Sequence, residues 1–103
     1  MNAESIGARL ISGPGGQPDF AEGVLWADDA MSIIALPATA SGGAASRIVR
    51  RIEGGAIVTV PRHLADRVVT EHGVAALRGA TLAERAARLR AIAAPEFRAS
   101  LEG

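Results

Sequence analysis

An apolar run that stops at a proline, residues 31–36 before Pro37, is the feature that most constrains the fold. Six successive residues without a charge predict a strand buried on both faces, because a half-exposed strand alternates apolar and polar residues. A loop of small residues follows over 38–46. The chain is 49% hydrophobic but only 3% aromatic, so its core must be built mainly from Ala, Val, Ile and Leu. Only three large rings are available to that core, those of Phe20, Trp26 and Phe97.

Several other segments have the pattern of short secondary-structure elements. Residues 5–11 predict a strand, and residues 18–26 predict a short helix with proline at its first position. Residues 47–52 mix isoleucine and arginine in the manner of a half-buried strand. Two β-branched runs, 57–60 and 68–70, predict further strands. The stretch between these two runs is too long for a two-residue hairpin and predicts a wider connection.

The clearest helix signal begins at Thr81. Its hydroxyl can accept the amide of Glu84 while the Glu84 carboxylate accepts the amide of Thr81, which is a capping box. An apolar helix face follows, formed by Leu82, Ala86, Leu89 and Ala93. Pro95 predicts the end of this helix and the start of another.

Charge and composition exclude several classes of protein. Eleven basic and 11 acidic residues give a net charge of zero, so no field draws the chain to nucleic acid or to an anionic membrane. The absence of cysteine removes disulfides, thiolate metal sites and a cysteine nucleophile. His63 and His72 share no ligand spacing with Asp or Glu, so we expect no bound metal. No run reaches the roughly 18 apolar residues of a membrane helix, and we expect a soluble, cytoplasmic protein that forms one domain over residues 1–103.

A glycine-rich loop, SGPGGQPDF at 12–20, precedes the first predicted helix. Glycines bring backbone amides close to a ligand, and a helix start adds unpaired N–H groups, so the loop suits a phosphate or an oxyanion. A plain turn uses the same residues, and both interpretations stay open. Gln17 could orient a ligand, whereas Asp19 is better placed to accept amides of the first helical turn.

Other polar and aromatic residues have two interpretations each. Glu53 and Glu71 follow apolar strand residues, as catalytic carboxylates can, but a solvated strand boundary is the simpler explanation. Trp26 could stack on a heterocycle, although a role as core filler is favoured. A short basic cluster could hold a diphosphate or line a solvated strand face; it consists of Arg47, Arg50 and Arg51.

Seven segments share their order and spacing with one protein family. They are ESIG at 4–7, SGPGGQPDF at 12–20, SIIALPATA at 32–40, SRIV at 46–49, VVTEHGVAALRG at 68–79, LAERAARL at 82–89 and IAAPEFRASL at 92–101. Through them the chain resembles the C-terminal domain of the acetyl-CoA hydrolase/transferase family, which includes 4-hydroxybutyrate and succinyl:acetate CoA-transferases. The resemblance covers nearly the whole chain.

The resemblance implies an α/β fold of the CoA-transferase-like (NagB/RpiA) type, with a mixed sheet flanked by helices. It implies that residues 1–103 are the rear part of the C-terminal domain. Family members attack an acyl-CoA with a glutamate carboxylate and hold a glutamyl-CoA thioester, which water or a second carboxylic acid resolves. That glutamate lies upstream of the matched region, and nothing in residues 1–11 resembles its segment.

The same resemblance implies the partners of the chain. Coenzyme A or acyl-CoA is the substrate, with no covalently bound cofactor, and a small carboxylate is the second substrate. The N-terminal half of a CoA-transferase, on the same chain or on a separate one, is the implied protein partner. We expect the chain alone to be inactive.

Site residues follow from the resemblance residue by residue. The backbone amide of Gly16 is the implied catalytic contact, because it donates to the thioester oxygen. The implied CoA-binding residues are Ser12, Gly13, Gly15, Gly16, Gln17 and Ser41. Ser41 stands where the family commonly has a lysine, which weakens the expected CoA contact at this position. Glu71 has a structural role in this comparison, bonding neighbouring backbone, and is not the nucleophile.

A second class of function stays open. Ser41 in place of lysine also fits a non-catalytic binding or assembly module that retains the fold. A truncated piece with no independent role is a third interpretation. We expect a homo-oligomer formed through a strand edge at residues 5–11.

Overall fold

The structure, a computed structural model, describes residues 5–6, 9–10, 16–27, 30–52, 54–58 and 60–102. Two compact units divide the chain. The first comprises Met1–Ser32 and Arg51–Ala65, and the second comprises Ile33–Arg50 and Asp66–Gly103.

The first unit contains a short antiparallel pair of strands. β1 (Ser5–Ile6) pairs with β2 (Arg9–Leu10). The prediction of one strand over 5–11 is therefore wrong, because the chain reverses direction between the two strands.

A short helix, α1 (Gln17–Gly23), confirms the helix predicted after the glycine loop, and a 3₁₀ turn continues it to Trp26. Pro18 lies in its first turn, where the missing N–H of proline costs no hydrogen bond. Ala21 is the buried residue of α1. Trp26 is 86% exposed, so the prediction that it fills the core is wrong, and Phe20 is 83% exposed. This segment therefore buries the small side chain of Ala21, whereas the large rings of Phe20 and Trp26 are exposed to solvent.

The second unit contains five strands, namely β3 (Ile33–Ala35), β4 (Thr39–Ala40), β5 (Ala45–Ser46), β6 (Arg67–Thr70) and β7 (Gly73–Ala76). β3 pairs parallel with β6, and β6 pairs antiparallel with β7, which gives the expected mixed sheet. β4 and β5 form a separate antiparallel hairpin. The sequence pattern does not predict β7, because glycine and alanine are poor strand formers. Its pairing with β6 overrides that local preference.

Only one face of the three-stranded sheet is packed. Val68 and Ala75 are opposite each other in the register and are buried, as is Ile34 beside them. Ile33, on the other face of β3, is 57% exposed. The prediction that residues 31–36 are buried on both faces is therefore wrong, because β3 is an edge strand covered on one side.

Two further predicted strands are absent from the described residues. In the stretch 47–52, the Ile48 amide donates to the Ser46 hydroxyl at 3.2 Å. The same hydroxyl donates to the Ile48 carbonyl oxygen at 2.7 Å. Local bonding of this kind competes with a sheet ladder. Over 57–60, the described residues also lie outside any strand, and Ile57 is exposed.

The main helix of the second unit is α2 (Leu82–Ala91), and its predicted capping box is confirmed. The Glu84 amide donates to Thr81 Oγ1 at 3.2 Å, and the Thr81 amide donates to Glu84 Oε2 at 2.8 Å. The hydrogen bond from the Thr81 backbone is the main reason why the pKa of Glu84 is lowered. α2 contacts β7, and Arg85 Nη1 donates to the Leu77 carbonyl at 2.9 Å.

Of the predicted apolar face of Leu82, Ala86, Leu89 and Ala93, only Ala93 is buried, and it lies beyond the end of α2. Leu82 is 63% exposed, and none of the α2 residues is buried. The buried residues instead follow the helix, and α3 (Pro95–Arg98) begins at the predicted proline. The core of the second unit is built from aliphatic side chains as the composition predicts: Ile34, Ala38, Val68, Ala75, Leu77, Ile92, Ala93 and Ala94. Within the described ranges, none of the helices is both long enough and apolar enough for a membrane crossing.

Candidate functional site

Gly16 lies at the start of α1 in the first unit. Its carbonyl accepts the Phe20 amide at 3.1 Å, so it begins the helical hydrogen-bond pattern, and its N–H has no acceptor among the residues that the structure describes. Gln17, the first helical residue, is exposed. Asp19 lies in the first turn, but no side chain caps this helix. Ser12, Gly13 and Gly15 lie outside the described residues.

The backbone of Gly16 does not itself require glycine. Its φ of −94° and ψ of −5° fall in the right-handed region that any residue adopts. A Cβ at this position would lie 3.6 Å from Phe20 Cε2, which is an ordinary contact. A side chain here is therefore tolerated by the fold, and Gly16 as a residue is exposed.

Ser41 lies in the loop between β4 and β5 and is exposed. Its φ is +54°, and the following Gly42 and Gly43 also have positive φ values. A left-handed conformation is unfavourable for serine, so the loop holds Ser41 in a constrained position. Arg47 closes the hairpin, since its Nε donates to the Thr39 carbonyl at 3.1 Å.

Glu71 lies in the turn between β6 and β7. Its carboxylate accepts the amide of the buried Ala38, with distances of 3.0 and 3.2 Å to the two oxygens. Hydrogen bonds from backbone N–H groups, its own first and that of Ala38 next, hold the pKa of Glu71 below its ordinary value of 4.5. His72 Nε2 lies 3.6 Å from the carboxylate. The predicted bonding of Glu71 to neighbouring backbone is confirmed.

Thr70 fixes the turn that carries Glu71. Its buried hydroxyl donates to the Ile92 carbonyl at 2.6 Å and accepts the His72 amide at 3.0 Å. Gly73 closes the turn with a φ of +143°, where an L side chain is strained. The hydrogen bonds of Thr70 therefore fix the residue before Glu71, and the conformation of Gly73 fixes the end of the turn. The sequence patterns did not indicate the hydrogen bond of Thr70 to Ile92 or that of Ala38 to Glu71, because each joins residues that are distant along the chain.

An open depression of about 500 Å³ lies at the carboxyl ends of the parallel strands β3 and β6. Its lining is mainly apolar and consists of Ala35, Leu36, Pro37, Val69, Thr70 and Glu71. Ligands of open α/β sheets bind outside the carboxyl ends of the strands, so this position is favourable for a binding site. Glu71 is the acidic residue of the lining.

The second unit thus brings Glu71 together with Ala38, the residue just before the hairpin that carries Ser41. The Gly16 region belongs to the first unit. Arg50 and Arg51 of the basic cluster are exposed, and Glu53 lies outside the described residues. No group of three or more potential ligands among His, Cys, Asp and Glu occurs in the part of the chain that the structure describes.

Comparisons with known proteins agree on one family. The model of the acetyl-CoA hydrolase/transferase C-terminal domain matches residues 1–103. The 4-hydroxybutyrate coenzyme A transferase of Clostridium kluyveri is 50% identical over 99 residues, which cover 96% of this chain and 23% of that protein. The succinyl-CoA:cyclohexane-1-carboxylate CoA transferase of Geobacter metallireducens is 44% identical over 99 residues, with the same two coverages.

Solved structures agree with this result. RipA from Yersinia pestis has a TM-score of 0.87 at 42% identity, covering 97% of this chain and 22% of that one. A 4-hydroxybutyrate CoA-transferase from Porphyromonas gingivalis has a TM-score of 0.70 at 46% identity, covering 84% of this chain and 21% of that one. These similarities confirm the CoA-transferase-like α/β fold.

The chain spans 23% of the length of the Clostridium protein, so most of that relative lies outside the similarity. The family match nevertheless extends over all 103 residues. It includes the glycine loop and the Glu71 turn described above. The chain therefore belongs to the acetyl-CoA hydrolase/transferase family and matches its C-terminal domain.

Proposed function

We propose that this chain is the CoA-binding C-terminal part of an acyl-CoA hydrolase or CoA-transferase, and that it forms the rear part of that domain. The family match over residues 1–103, together with 50% identity to a 4-hydroxybutyrate coenzyme A transferase, carries the proposal. The attacking glutamate lies on the upstream part of the enzyme. The chain supplies contacts to the thioester and to CoA.

Gly16 is the proposed oxyanion donor. Gly16 is exposed at the start of α1, which supports a role in which its N–H donates to the thioester oxygen as negative charge develops there. Removing one such donor typically lowers kcat by about 100- to 1,000-fold, which is large enough to detect easily. The surrounding CoA contacts are proposed for Ser12, Gly13, Gly15, Gln17 and Ser41.

Glu71 acts in this proposal as a positioning residue. Its carboxylate accepts a hydrogen bond from the Ala38 amide. This bond fixes the residue that precedes the hairpin of Ser41. A carboxylate bound in this way is a weaker nucleophile than a free one, because its hydrogen bonds stabilise the charge that must be donated. This supports the assignment of the nucleophile to another segment.

The test compares the chain alone with a hybrid in which residues 1–103 replace the matched quarter of the Clostridium kluyveri protein. Each is incubated with acetyl-CoA and a carboxylate acceptor. We expect no turnover from the chain alone and CoA transfer by the hybrid. Turnover by the chain alone that is abolished by Glu71→Gln would contradict the proposal, because Glu71 would then be the nucleophile.

A non-catalytic assembly module is the second candidate. It is favoured by Ser41, which offers a hydroxyl but no positive charge to a CoA phosphate. Calorimetry of the hybrid with CoA separates the two candidates, since a module that only assembles binds no CoA. A cytoplasmic location and a homo-oligomeric state stay predictions, and light scattering tests the oligomeric state.

A further inference from the structure

The strand β7 lies at one edge of the three-stranded sheet, whose order is β3-β6-β7. The Leu77 amide donates to the Asp66 carbonyl at 2.7 Å, so these residues form a hydrogen-bonded pair at the end of the β6–β7 ladder. Such pairs alternate with pairs whose backbone groups point away from the partner strand, and the register places Val74 and Ala76 in pairs of the second kind. We call their outward N–H and C=O groups the outer edge of β7.

This outer edge has the properties of a surface that another strand could extend. β7 contains no charged residue, and Val74 is 58% exposed. The N–H groups of Val74 and Ala76 have no acceptor among the residues that the structure describes. Exposed backbone groups of an edge strand can pair with a strand of another molecule, and proteins commonly block such edges with charged side chains.

Arg88 of α2 lies against this edge. Its Nη1 donates to the Ala76 carbonyl at 2.8 Å. Arg85 lies nearly one helical turn earlier on the same side of α2, and its Nη1 donates to the next carbonyl, that of Leu77, at 2.9 Å. No residue of α2 is buried, so these bonds do more than apolar packing to align α2 with the end of β7. The guanidinium of Arg88 therefore stands where the N–H of a pairing strand would donate.

We propose that Arg88 blocks the outer edge of β7 against pairing with β7 of a second copy of this chain. The edge is self-complementary: in an antiparallel pair centred on Ala75, Val74 of each copy would be opposite Ala76 of the other. Each Val74 N–H would then need the Ala76 carbonyl to which Arg88 donates. Both Arg88 side chains would also meet at the shared edge, where like charges repel.

This inference does not depend on CoA binding, so it can fail while the proposed function holds. Arg88→Met tests it, because methionine removes the donor and the charge and keeps an unbranched side chain. Arg90→Met is the matched control, since it removes the same charge from the same helix. The Arg90 side chain forms no hydrogen bond or ion pair with the described residues.

Two measurements report on the edge. Light scattering at micromolar to millimolar protein concentrations measures self-association. Amide hydrogen exchange followed by NMR measures the protection of Val74 and Ala76 individually. The second measurement distinguishes strand pairing at β7 from association through any other surface.

In the wild type and in Arg90→Met, we expect the Val74 and Ala76 amides to exchange at rates independent of protein concentration. In Arg88→Met, the mean mass should rise above that of the wild type with concentration, and exchange at both amides should slow by about tenfold or more. The proposal is overturned if Arg88→Met associates no more than Arg90→Met, or if its extra association leaves both amides unprotected. Protection that grows with concentration in the wild type would also overturn it, because the edge would then not be blocked.

Arg88→Gln keeps the test decisive if Arg88→Met loses the helical circular dichroism signal. Glutamine is a good helix former, carries no charge and is shorter than arginine, so it also leaves the Ala76 carbonyl without its partner. If the wild-type chain alone is not folded, the variants are made in the hybrid with the Clostridium protein, and exchange of the peptide that spans β7 is followed by mass spectrometry. The same rise in mass and protection is expected, and a folded Arg88→Gln that behaves like Arg90→Met would overturn the proposal.

Discussion

Replacing Thr70 by valine tests whether its hydroxyl holds the turn that carries Glu71. Valine has the same shape, so the change removes the hydrogen bonds and leaves the packing. The Ile92 carbonyl belongs to a residue that is only 3% exposed and would lose its 2.6 Å partner, a loss of about 1–3 kcal/mol. The His72 amide can bond water instead, and its loss is about 0.5–1.5 kcal/mol. Together they predict a destabilisation of about 1.5–4.5 kcal/mol.

Urea denaturation followed by circular dichroism measures this free energy of unfolding. Thr70→Ser is the matched control, because it keeps the hydroxyl and removes one methyl group, which costs about 1 kcal/mol. Both variants should keep the wild-type dependence of unfolding on urea concentration. The reasoning is refuted if Thr70→Val is no less stable than Thr70→Ser.

Three further predictions concern the same unit. Ser41→Gly should stabilise the chain by about 0.5–1 kcal/mol in urea denaturation, because it relieves a φ of +54°, and a loss of stability would count against that conformation. Gly73→Ala should destabilise by about 1–3 kcal/mol in the same assay, since φ is +143° and the new Cβ would lie 3.4 Å from Ile92; a neutral effect would contradict this turn geometry. The lowered pKa of Glu71 means that its bond to Ala38 stabilises the fold above the ordinary pKa of 4.5 and is lost as pH falls through the lowered value. Melting temperatures of the wild type should therefore fall more steeply with acid than those of Glu71→Gln, and identical slopes would exclude this contribution.

Local patterns in this sequence predict local structure. They do not predict contacts between residues that are distant along the chain. The capping box between Thr81 and Glu84 needs only three residues of chain, and it forms as predicted. β7 has a weak strand signal and exists because it pairs with β6. The bond from Ala38 to Glu71 joins residues 33 positions apart, and nothing in either neighbourhood indicates it. The family resemblance supplied the structural role of Glu71 that local patterns left open.

Burial was the least predictable property. The run at 31–36 has the composition of a fully buried strand, yet Ile33 is on an uncovered face. The large rings of Phe20 and Trp26 are also exposed. Composition tells which side chains favour burial, whereas the elements that cover them are set by the tertiary structure.

The oxyanion role of Gly16 is the central claim, and a pair of variants in the hybrid enzyme tests it. Gly16→Pro removes the N–H, whereas Gly16→Ala keeps it at a position whose φ of −94° and 3.6 Å clearance from Phe20 accept a methyl group. Circular dichroism of each variant verifies that α1 and the fold are retained. We predict that kcat for CoA transfer falls by about 100- to 1,000-fold in Gly16→Pro and stays within about threefold of the unsubstituted hybrid in Gly16→Ala. Equal activity of the two folded variants would contradict the claim.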